Sequence, residues 1–162
     1  MRTALLPLIA ATFAASPALA RTALGSFESW AAFRDEAPLR CFAIAEPAHR
    51  GGGGKWRPFA TVSTWPQNGV RGQVQIRLGR ALRVGAPVTL IVGDRKFVLT
   101  AGGADAWAPD ARGDAAIVAA LRSARTMSVA SVAATGGGFI ETYLLKGAAT
   151  AIDAAALGCA RR

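Results

Sequence analysis

The side chains able to do chemistry in this chain are few. Cysteine occurs twice, at Cys41 and Cys159, and histidine once, at His49. The two thiols are too far apart in sequence for the paired ligands of a zinc site, and no CxxC exists to support a thioredoxin-like redox role. His49 opens "HRGGGGKW" (49–56), which lacks the first glycine, the Ser or Thr and the following helix of a phosphate-binding loop. "TGGGF" likewise has strand-like segments on both sides, so the dinucleotide fingerprint fails. A base must be held rigidly beside its nucleophile, and a lone histidine in a glycine run is not. No G-x-S-x-G elbow surrounds any serine. Asp105, Asp110 and Asp114 gather in "ADAWAPDARGD", but calcium wants alternating oxygen ligands and a closing glutamate. They read as a loop ending in a helix cap. No cofactor or metal site is expected.

The amino end changes how the cysteines read. Arg2, an apolar run from Ala4 to Ala15, the break at Ser16–Pro17 and small residues at Ala18 and Ala20 have the order of a secretory leader, residues 1–20. That run, with Pro7 inside it, is too short to span a bilayer. The expectation is cleavage after Ala20, leaving residues 21–162 as a single domain that does not span the membrane and is placed in the periplasm or secreted. In an oxidising compartment two cysteines favour one disulfide, Cys41–Cys159, which would pin the end of the chain to its first strands.

The elements between them are short and punctuated by glycine and proline. Strands are expected at 26–33, 40–46, 59–65, 72–78, 88–92, 96–100, 126–132 and 139–145. The 72–78 strand alternates most cleanly, with Val74, Ile76 and Leu78 opposite Gln73, Gln75 and Arg77. "GDR" makes a tight hairpin on Gly93 and Asp94. Helices are expected at 113–124, capped by Asp114, and from about Ala148 to Leu157. Many strands and two short helices predict an all-β fold: an antiparallel β-sandwich, or a partly closed barrel, with one disulfide.

Nineteen Lys and Arg against ten Asp and Glu give a formal charge of +9, or +8 without Arg2. With an export signal and no reader motif, nucleic acid is not the expected partner. An envelope protein, or an anionic envelope glycan or lipid, fits better. Arg71, Arg77, Arg80 and Arg83, around the polar face of the 72–78 strand, are the candidate surface. Trp30 should lie in the core. Trp56, Trp65 and Trp107 are expected to plug the sandwich, with stacking on a sugar as the other role an indole can take.

Several segments, "SFESW" with a following "RCF", "FATVST", "VTLIVGDRKFVL", "AWAPDARGDAAIVAALRSARTMSV" and "ETYLLKGAATAIDAAALGC", span nearly all of residues 21–162. In them the chain resembles the invasion-associated locus B family of exported proteobacterial proteins. Glu141, Thr142, Tyr143, Gly147, Ala149 and Cys159 fall on the family pattern. The chain departs from it in having glutamate before Thr-Tyr, no serine after the tyrosine, and the "GGGGKW" insertion. The resemblance implies a compact β-sandwich in the periplasm or at the cell surface, and carries no catalytic residues.

Together these readings predict a non-enzymatic exported protein that binds or supports cell-envelope components. A small hydrolase using Glu141 or Asp110, and, on the resemblance alone, a secreted factor contacting host cells, are the alternatives.

Overall fold

The computed structural model describes residues 21–49 and 54–160; the leader read at 1–20 and most of the glycine run lie outside them. Ten strands form one antiparallel sheet: β1 (Arg21–Phe27), β2 (Trp30–Glu36), β3 (Leu39–Ala45), β4 (Phe59–Trp65), β5 (Val70–Arg77), β6 (Val88–Val92), β7 (Arg95–Gly102), β8 (Asp105–Trp107), β9 (Thr126–Val132) and β10 (Gly138–Leu144). Their order across the sheet is β1-β2-β3-β4-β5-β8-β7-β6-β9-β10. Two helices, α1 (Ala111–Leu121) and α2 (Ala148–Ala160), complete the fold.

The all-β antiparallel architecture with two helices and one disulfide is the one expected, and the sheet does not close into a barrel. It folds over one main core, with a smaller cluster of Ala32, Cys41 and Ala155 beside it. Inward residues of one half, such as Val62, Val74 and Ile76, join Leu90, Val129, Phe139 and Tyr143 of the other in one cluster. Because strand side chains alternate, β4, β5 and β6 give this core every second residue: Ala60 and Val62, Val74 and Ile76, and Val88, Leu90 and Val92. Trp30 is 2 % exposed, and its indole N–H donates to the Leu144 carbonyl at 2.9 Å, tying β2 to the end of β10.

Four local expectations are corrected. The strand read across 26–33 is a hairpin: β1 and β2 meet with Phe27 opposite Trp30, and Glu28 turns the corner at φ +55°. The aspartate loop contains a strand, β8, which pairs with both β5 and β7. Asp110 rather than Asp114 caps α1, accepting from the Gly113 N–H at 2.7 Å. α2 runs on to Ala160, so Cys159 sits inside the helix.

α2 is almost wholly alanine on its buried side, with Ala148, Ala151, Ile152 and Ala155 covered. Short side chains let its axis lie close to the sheet, where Ala32 and Cys41 meet Ala155.

Candidate functional site

The motif residues of the carboxyl-terminal region hold the fold together. Tyr143 is fully buried in the core. Glu141, 1 % exposed, accepts the backbone N–H of Gly79 at 2.8 Å. The Thr142 hydroxyl meets that of Ser128 at 3.1 Å, and its backbone pairs with His49. Gly147 has φ +88°, and a β-carbon there would collide with the Phe27 carbonyl. That close approach requires glycine. Ala149 occupies the first turn of α2. Cys41 and Cys159 are bonded, with their Cα atoms 5.7 Å apart, within the ordinary disulfide range. The link joins α2 to β3.

The carboxylates considered for catalysis are likewise committed. Asp110 caps α1, and Asp105 takes a bidentate pair from Arg77 at 2.9 and 2.6 Å. Asp114 accepts from the Val74 N–H at 2.8 Å. Burial holds the Asp114 carboxyl above its ordinary range, with the Val74 hydrogen bond pulling the other way. Among the described residues no group of His, Cys, Asp and Glu is placed to hold a metal.

The four arginines proposed from the sequence stand in four settings. Arg77 is held by Asp105; Arg80 lies over the Phe139 ring at 5.0 Å. Arg83 is exposed in the β5–β6 connection, and Arg71 is exposed where the β4–β5 hairpin meets the helices.

A more coherent surface lies on the outer side of β1–β5 and β8. Directly opposed residues of neighbouring strands share a face, so the register gives its rows. One row is Arg21–Asp35–Arg40; the next is Phe33–Phe42–Ser63–Gln73, of which Phe42 and Ser63 are buried, as is Thr61 beside them. A third is Ile44–Thr61–Gln75–Trp107. The Arg40 guanidinium lies 4.3 Å from the Phe42 ring centroid and 4.8 Å from that of Trp65, and donates to the Ser63 hydroxyl at 2.9 Å. Arg21 lies over Phe42 at 5.2 Å and holds Asp35 bidentately, at 2.7 and 3.1 Å. The Trp65 indole donates to Gln73 at 3.2 Å. Burial pushes the Arg40 guanidinium below its ordinary pKa, while the Asp35 bond pushes Arg21 up. A pocket of about 490 Å³ at this corner is lined by Arg21, Asp35, Glu36, Pro38, Arg40 and Trp65.

Trp56, Trp65 and Trp107 are half-buried rather than plugs of the core. Sequence reasoning did not assemble this face. The available signal was parity: Phe33 and Asp35, Arg40 and Phe42, Ser63 and Trp65 each alternate with core residues on adjoining strands.

A larger groove than this corner pocket, about 930 Å³, lies elsewhere, between α1, α2 and the end of the β4–β5 hairpin. Neither Glu141 nor Asp110 is among its lining residues.

No family model matches the chain, and no curated protein matches it in sequence. Among solved structures it is similar to invasion associated protein B from Bartonella henselae, with a TM-score of 0.57. The chain shares the fold of that protein. Identity is 17 %, and the match covers 83 % of this chain and 96 % of that one. The resemblance read from the sequence is therefore matched by a likeness in three dimensions.

Proposed function

We propose that this chain is an exported, non-enzymatic binding module of the cell envelope, acting in the periplasm or after secretion. Its contact surface is the outer face of β1–β5, and its partner is an anionic envelope glycan. The observation that carries the reading is Arg40, stacked between Phe42 and Trp65 beside the Arg21–Asp35 pair. An arginine fixed by aromatic rings loses little freedom when it engages an acidic group, and the exposed part of an indole can take the flat face of a sugar. The positive charge supplies long-range attraction, and the disulfide suits an oxidising compartment.

The test is titration of the purified protein with a soluble polyuronate, followed by tryptophan fluorescence. Saturable binding should weaken with salt, and Arg40→Ala and Trp65→Ala should each reduce affinity about tenfold or more. Equal binding of a neutral polysaccharide, or wild-type affinity in both variants, would refute the assignment.

A further inference from the structure

The groove between the helices has a different chemistry from the arginine–aromatic face. Its walls are Ala115, Val118 and Ala119 of α1 and Ile152, Ala156 and Leu157 of α2, floored by Val62. Helices with larger facing side chains would interdigitate and close such a gap; alanines are too short to bridge it. Leu157 is left 55 % exposed. At about 930 Å³ the space lies within the range of roughly 300–1,000 Å³ typical of small-ligand sites.

Two arginines stand at its rim. Arg122 is committed to Asp153 by contacts of 2.6 and 3.2 Å. Arg71 is exposed and has no ion pair among the described residues. The groove thus joins an aliphatic trough to one uncompensated cation.

We propose that this groove binds a single-chain anionic amphiphile of the fatty-acid type, its hydrocarbon tail between α1 and α2 and its carboxylate at Arg71. The walls favour hydrocarbon over a peptide. Away from their ends both helices pair their own backbone groups, so the helical walls offer an extended peptide little to pair with. An acyl chain needs no such partners. The guanidinium of Arg71 matches a carboxylate in charge and in planar shape.

Palmitate should displace a fluorescent fatty-acid probe from the purified protein with one-to-one saturation below its micellar concentration. Ala119→Trp and Ala156→Trp fill the groove from opposite walls at exposed positions, so their melting should stay close to wild type. Each should weaken palmitate about a hundredfold, and Arg71→Ala about tenfold. Hexadecyltrimethylammonium, with the opposite head charge, should bind far less tightly. Arg40→Ala should leave palmitate binding unchanged, which separates this site from the glycan face. The proposal fails if palmitate does not saturate, if both folded tryptophan variants bind normally, if the cationic detergent competes equally, or if apolar peptides bind there in preference to palmitate.

Discussion

The carboxylate of Glu141, on β10, receives the backbone N–H of Gly79, sixty-two residues earlier in the chain, at 2.8 Å. This bond joins the last strand to the connection that leaves β5, as does Arg80 over the Phe139 ring. A buried donor stripped of its acceptor is costly, whereas an amide oxygen can replace a carboxylate oxygen. Glu141→Ala should therefore destabilise the protein by about 3 kcal/mol, through the orphaned N–H and the space left behind. Glu141→Gln should lose clearly less. Urea unfolding of the two variants beside wild type checks the order, and equal losses would refute the role given to this bond.

Gly147 turns the chain from β10 into α2 at φ +88° against Phe27. Alanine there suffers both the left-handed backbone and a collision with main chain, which cannot swing aside as a side chain can. Gly147→Ala should lower stability by at least about 2 kcal/mol. Gly136 and Gly137 also have positive φ but open space around them, so alanine at either should cost about 1 kcal/mol. Thermal melting of the three variants compares collision with conformation.

The disulfide closes a loop of 118 residues. In the chain-entropy model such a link stabilises by about 5 kcal/mol. Cys41→Ser with Cys159→Ser, or full reduction, should lower the unfolding midpoint accordingly. Unchanged melting in reductant would show that packing alone holds α2.

Asp114 gives a pH signature. Its folded-state pKa is raised, chiefly by burial, so the folded protein takes up its proton at a higher pH than the unfolded chain does. Stability from this group therefore falls as pH rises through that window, and its penalty is complete at neutral pH. Asp114→Asn keeps an acceptor for the Val74 N–H without the charge. The variant should be as stable as wild type or slightly more so at pH 7, and that advantage should vanish in acid below both pKa values. Denaturation measured across the carboxylate range tests the sign; a variant destabilised at pH 7 and restored in acid would contradict it.

The fold was readable where side-chain alternation was strong. The 59–65, 88–92 and 126–132 strands have the predicted bounds because β-branched and aromatic residues alternate between clear breakers. The β1–β2 turn was hidden because Glu28 and Ser29 carry no glycine or proline, and a glutamate at positive φ leaves no mark in sequence. β8 was missed for its length; three residues of "DAW" are strand only because β5 and β7 flank them. Asp110 and Asp114 were interchanged as caps because either fits the pattern locally, and only the approach of Val74 separates them. The same limit applies to the surface. Arginine counts along one strand pointed to Arg77, which Asp105 holds, while the Arg40 stack depends on Phe42 and Trp65 from two strands.

The position of Cys159 has a consequence in time. A chain made from its amino end presents Cys41 long before its partner exists, and α2, which covers that thiol in the finished fold, is made after all ten strands. Until residue 159 arrives, the early sulfur stands uncapped and able to pair with the wrong molecule. Correct oxidation thus waits on α2, and a chain that stopped before Cys159 would forfeit it.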